Sequence, residues 1–104
     1  MATGRLAALN ITNSATDLLL YTVPNNIIAS FSICLTNRNA TPVTVRLALT
    51  TGATVLDGDY IAYEVTIYGH EVYERSGFVL TQGQFVYVRS SATSVNAVMY
   101  GYEE

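Results

Sequence analysis

The alternation of the chain between two kinds of residue is clearest from Ile27 to Thr36. Ile27, Ala29, Phe31, Ile33 and Leu35 occupy one parity, and Ser30, Ser32, Cys34 and Thr36 the other. A repeat of two puts successive side chains on opposite faces of a pleated strand. A helix would scatter the same residues around its circumference. The segment therefore reads as a strand with one face on a core and the other small and polar. Asn37 to Ala40 is turn chemistry, since Asn tolerates the backbone angles that turns need. Beyond it Val43, Val45, Leu47 and Leu49 alternate with Thr44, Arg46 and Ala48, which completes a hairpin. Composition extends the argument to the whole chain. Val, Ile, Thr, Tyr and Phe make up 41 of 104 residues, the types that suit a pleated, half-buried surface.

The other segments follow the same rule. Leu18 to Val23 reads as a strand ended by Pro24, which cannot donate to a ladder. Ile61, Tyr63, Val65 and Ile67 alternate with Ala62, Glu64 and Thr66. A weaker strand holds Val72, Glu74 and Ser76. Phe85 to Ser91 and Val95 to Tyr102 close the set, the last with Val98 and Tyr100 facing away from Ala97 and Met99. Turn signals recur every ~8–12 residues, the spacing of a sandwich or barrel. The expectation is all-β: a single antiparallel β-sandwich of about seven or eight short strands over residues 16–104. Residues 1–15 are rich in Ala, Asn, Ser and Thr and read as an N-terminal arm, with a short strand around Leu6 to Leu9. Such an arm can add a strand to a sheet edge of a neighbouring subunit, anchored by Leu9 and Ile11. Pairing within its own sandwich is the alternative.

Charge narrows the function classes. Charged residues are 12% of the chain, against roughly 25% in average globular usage. At 50% hydrophobic the chain is not intrinsically disordered. Lysine is absent, five arginines are scattered, and the net charge is −3, so bulk charge draws neither nucleic acid nor anionic lipid. The apolar runs are too short for a bilayer span or a signal peptide. On that basis the sequons at Asn10 and Asn39 read as chance.

No motif carries catalysis. There is no phosphate loop, nucleophile elbow, zincin motif or paired cysteine. The one thiol and the one imidazole, Cys34 and His70, are a strand residue and a turn residue. Asp57-Gly58-Asp59 with Glu64 offers oxygens but fewer and wider-spaced than a calcium loop uses, and Asp-Gly is turn chemistry. The expectation is no enzyme, no metal and no cofactor. The tyrosines, clustered at Tyr60, Tyr63 and Tyr68 and again at Tyr100 and Tyr102, suit cross-strand packing and subunit contacts. An aromatic platform for sugar is the competing reading.

Short motifs run in order along nearly the whole chain. They are Gly4-Arg-Leu-Ala-Ala8, Leu20-Tyr-Thr-Val-Pro24, Cys34-Leu-Thr-Asn-Arg38, Val45-Arg-Leu-Ala48, Asp59-Tyr-Ile-Ala-Tyr63, Val86-Tyr-Val-Arg-Ser-Ser91 and Gly101-Tyr-Glu103. That order resembles the small β-sandwich virion structural proteins of tailed bacteriophages. It departs where such chains carry a Pro-Asn-Asp turn, for here Tyr68-Gly-His-Glu71 stands instead. The resemblance implies a particle component, a capsid decoration (cement) protein or a tail or fibre component, with no catalytic residues. It implies as partners copies of the chain itself, a trimer favoured, and other virion proteins such as the major capsid protein. It implies residence in the virion after assembly in the host bacterial cytoplasm. No nucleic acid or membrane is expected as a partner. The residues expected at interfaces are Leu9, Ile11, Ser30, Ser32, Cys34, Tyr60, Tyr68 and His70. The reading from a different class is a carbohydrate-binding sandwich that uses Tyr60, Tyr63 and Tyr68.

Overall fold

A computed structural model describes residues 2–104. These form eight strands: β1 (Thr3–Ile11), β2 (Leu18–Thr22), β3 (Ile28–Asn37), β4 (Val43–Thr50), β5 (Tyr60–Ile67), β6 (Val72–Thr81), β7 (Phe85–Ser90) and β8 (Val95–Glu103), with a 3₁₀ turn at Asp57–Asp59. Sheet I has the order β1-β8-β3-β6 and sheet II the order β2-β7-β4-β5. Every pairing is antiparallel. First pairs with eighth, second with seventh, third with sixth and fourth with fifth, as if one long hairpin had been rolled up. That connectivity is a jelly roll, a double-sheet sandwich. The all-β sandwich expected from the alternation is what the chain forms.

The inner faces interdigitate between the sheets. Ile33, Leu35, Val95, Ala97 and Met99 from sheet I meet Val45, Leu47, Val86 and Val88 from sheet II, and all are buried. Phe31 fills one end, its ring centroid 6.5 Å from that of Tyr21 and 5.6 Å from that of Phe78. Where β6 and β5 leave the sandwich open, Arg75 lies along the seam. Its Nη1 donates to the Ile61 carbonyl at 3.0 Å and to the Tyr73 hydroxyl at 3.3 Å. The guanidinium sits 5.6 Å from the Phe78 ring centre.

Three features differ from the sequence reading. Residues 3–11 are not a free arm: β1 pairs along β8 of its own chain, from Thr3 opposite Tyr102 to Ile11 opposite Val95. Leu9 packs on the core and Ile11 is 1% exposed, so neither is available to anchor a neighbour. A shift of register between Arg5 and Ala7 interrupts the alternation that marks the other strands. Second, Tyr63 does not share a face with Val65 and Ile67. Glu64 has φ of 53°, and Tyr63 and Glu64 together oppose Arg46, a bulge that carries both to the outer face. Third, Ala48 lies on the outer face as expected but is buried, opposite Tyr60 in β5 and Tyr87 in β7.

At one end of the roll the loops are tied through Asn37, which is wholly buried. Its Nδ2 is shared among the carbonyls of Thr41, Ile67 and Tyr68 at 2.9, 3.0 and 3.2 Å. Its Oδ1 accepts from the backbone and side-chain N–H of Asn39 at 2.9 and 3.0 Å. Losing one partner strands buried polar groups, and that costs more than the bond itself is worth. Asn37→Ala is therefore expected to cost about 2–4 kcal/mol, with several carbonyls and N–H groups orphaned at once. Chemical denaturation measures it; a loss under about 0.5 kcal/mol, the range of ordinary surface changes, contradicts the assignment.

At the other end Tyr21 donates its hydroxyl hydrogen to the Glu103 carboxylate. Burial first, then that hydrogen bond and the nearby negative charge, raise the Tyr21 phenol well above its ordinary value of 10.0. The neutral phenol is favoured in the fold, whereas in the unfolded chain it ionises near 10. Its contribution is thus complete below pH 10 and is lost as pH rises beyond it. Stability should fall above about pH 10, and Tyr21→Phe should flatten that fall. Equal slopes for both proteins in urea titrations at alkaline pH would exclude this role.

Candidate functional site

Because β3 and β8 are central strands of sheet I, their outward residues form the middle of a four-stranded face. Register places Tyr102 between Thr3 and Ser30, with Val79 beyond, and Tyr100 between Arg5 and Ser32. The next row is Ala8, Val98, Cys34 and Glu74, and the last is Asn10, Asn96, Thr36 and Val72. The β8 column therefore carries Tyr102 and Tyr100, and the β3 column beyond Ile28 is small. Ile28, Val72, Val79, Tyr100 and Tyr102 are 40–61% exposed, all on this face. Val79, Tyr100 and Tyr102 cluster toward one end of it, and an apolar cluster rimmed by polar residues marks an interaction surface rather than ordinary exposure of single side chains.

The face is not flat. Ser76 and Gly77 oppose the single residue Ser32, a bulge in which Gly77 takes φ of 85°. Only glycine adopts that conformation without strain. Gly101 fits because β8 runs close to β3: a Cβ there would lie 2.0 Å from the Ser30 carbonyl oxygen. With small residues at Ser30, Ser32, Gly77 and Gly101, an open depression of about 330 Å³ forms, walled by Phe78, Val79, Tyr100 and Tyr102. Tyr100 donates its hydroxyl hydrogen to the Glu74 carboxylate. That bond, more than burial, raises the Tyr100 phenol.

The expected interface residues fall in different places. Ser30, Ser32 and Cys34 are half-buried in the floor of the sheet I face. Tyr60 lies on the outer face of sheet II. Tyr68 and His70 are exposed at the β5–β6 turn, where His70 has φ of 60° and its N–H donates to the Asn39 carbonyl at 3.0 Å. Gly69 in that turn packs so tightly that a Cβ would meet the Ala40 oxygen at 2.2 Å. The sequence reading found the small residues of the sheet I face. It did not place Tyr100, Tyr102, Val72 and Val79 beside them, because that adjacency comes from strand register.

Sheet II carries a second cluster. Arg46 donates through Nε to Glu64 at 2.8 Å, and its guanidinium lies 4.2 Å from the Tyr63 ring centre and 5.6 Å from that of Tyr60. The Tyr60 and Tyr63 rings meet edge-on at 5.1 Å and 76°. Glu64 first, then Tyr60, hold the guanidinium still more firmly in its charged form. Tyr68 does not join them: five residues of strand separate it from Tyr63, on the order of 15 Å. Cys34 and His70 are likewise apart, one mid-strand and the other in the β5–β6 turn. Asp59 accepts from the Leu56 N–H at 2.9 Å, as a turn residue does. Among the described residues no three His, Cys, Asp or Glu side chains gather to hold a metal ion, and no helix is long and apolar enough to cross a membrane. The chain matches no protein-family model, no curated protein and no solved structure.

Proposed function

We propose that the chain is a structural subunit of a tailed-bacteriophage particle, a capsid decoration protein, that works by burying the outer face of sheet I against neighbouring subunits. One observation carries the proposal: Val79, Tyr100 and Tyr102 stand exposed around a small-residue floor, with Ile28 and Val72 exposed elsewhere on the same sheet face. Apolar burial stabilises contact by about 25 cal/mol per Å² before the costs of ordering and desolvation. A subunit repeated on a particle needs only modest affinity per copy, since linked copies bind with high effective concentration. The motifs that resemble virion proteins agree with this use, and jelly rolls serve in viral capsids. They also serve in lectins, so fold alone does not assign the function.

The test is the composition of purified particles made from the genome that encodes the chain. The proposal expects the protein in fixed stoichiometry to the major capsid protein, with particles lacking it less resistant to heat. Particles that contain none of it contradict the proposal. A tail or fibre position would show as a stoichiometry far below that of the capsid protein.

A second reading, sugar recognition, is favoured by the Tyr60–Tyr63–Arg46–Glu64 cluster on sheet II. A pair of tyrosine rings stands there beside a guanidinium and a carboxylate that could bind hydroxyls. Binding by the isolated protein on a glycan array, lost in Tyr63→Ala, supports it. No binding above background counts against it.

A further inference from the structure

We infer that the first partner of the sheet I face is a second copy of this chain, packed face to face about a two-fold axis that runs along the strands between β8 and β3. The inference rests on the reading of that face as the docking surface and adds its occupant. Sheet I has four strands, so the line between β8 and β3 is its middle. Rotation about that line carries each copy's β8 column over the other's β3 column. Tyr102 of one copy then enters the depression floored by Ser30 and Ser32 of the other, beside Tyr100, whose side chain reaches across β3 to Glu74 of its own chain. An isologous contact requires a patch complementary to itself, and Tyr102 beside the depression at Ser30 and Ser32 is such a patch. A threefold arrangement, as the virion resemblance implies, would need two different complementary patches, and the ring and depression here lie on one face.

Charge follows the same axis. The rotation lays β1 over β6, which brings Arg5 one row from Glu74 of the second copy, and the pair occurs twice. The area is sufficient for a reversible dimer. Four strands about 4.8 Å apart and about eight residues at ~3.3 Å each give roughly 500 Å² per copy. That makes about 1,000 Å² in all, the size at which specific interfaces begin, and side-chain relief adds to it.

Sedimentation equilibrium of the full chain tests this between about 1 and 300 μM. The expected result is a monomer–dimer equilibrium that Ser32→Tyr weakens at least tenfold by filling the groove, with unchanged circular dichroism. Arg5→Glu should weaken it, and Arg5→Glu combined with Glu74→Arg should recover part of the loss. If Ser32→Tyr does not fold, Val79→Lys at an exposed position serves in its place. A monomer throughout the range, a trimer, or a dimer indifferent to these substitutions overturns the inference. A monomeric chain that still enters particles, with entry blocked by Ser32→Tyr, refutes the pairing but leaves the structural role standing. A groove-sensitive dimer missing from particles refutes the role and leaves the pairing.

Discussion

Truncating Phe31 to alanine is expected to lower folding stability by about 3–5 kcal/mol, the range for removing a buried aromatic side chain. The ring is 4% exposed and touches Tyr21 from β2 and Phe78 from β6. Its loss therefore loosens both sheets at the end where Tyr21 also holds Glu103. Neighbouring Leu80 and Ala29 are fixed by their own strands and cannot collapse fully into the space, which adds a cavity term to the transfer term. Whole-domain stability is ordinarily about 5–15 kcal/mol, so the variant should be close to unfolding at 37 °C. Urea denaturation followed by tyrosine fluorescence measures the change. A loss below about 1 kcal/mol would show that Phe31 is not a packing residue.

Deleting residues 2–11 is expected to abolish the fold altogether. The deletion removes all of β1, and with it the partner of β8 along one side. The backbone groups of β8 from Val95 to Tyr102 would lose their β1 partners, and Ile11, Leu9, Ala7 and Leu6 would vanish from the edge of the core. A raw sheet edge of this length also templates aggregation. Heteronuclear NMR of the truncated chain should show collapsed dispersion, or the protein should be insoluble. A soluble truncated domain with dispersed spectra would mean that β1 is dispensable, as the arm reading supposes.

How much of this was legible depends on where the period of two survives. β3 and β7 keep it end to end, and their inward residues Ala29, Phe31, Ile33, Leu35, Val86 and Val88 are the buried ones. β1 hides it, because its register slips between Arg5 and Ala7, so that both Leu6 and its neighbour Ala7 pack on the core. β5 breaks it at Glu64, where a positive φ moves Tyr63 to the outer face. Bulges are set by pairing with a distant strand, so the local sequence does not announce them. Asn37 reads as the start of a turn, and it is, but its burial between the β3–β4 and β5–β6 turns is a tertiary fact. The same holds for the candidate site. Ser30, Ser32 and Cys34 could be read as a small polar face of one strand. The tyrosines and valines that make that face apolar come from β6 and β8, forty or more residues later.

That late adjacency is the basis of the functional reading. A sandwich needs only one apolar face per sheet, yet the outer face of sheet I also exposes Val79, Tyr100 and Tyr102 in one cluster. That cluster is either covered in the working protein or a liability to it. The measurement that bears on this most directly is a subunit-resolution density map of particles that contain the chain. The account predicts density for this jelly roll on the particle with Tyr100, Tyr102 and Val79 covered by an adjoining subunit. A map in which the chain is present with that face open to solvent, its contacts made instead through sheet II or the loops, would contradict it.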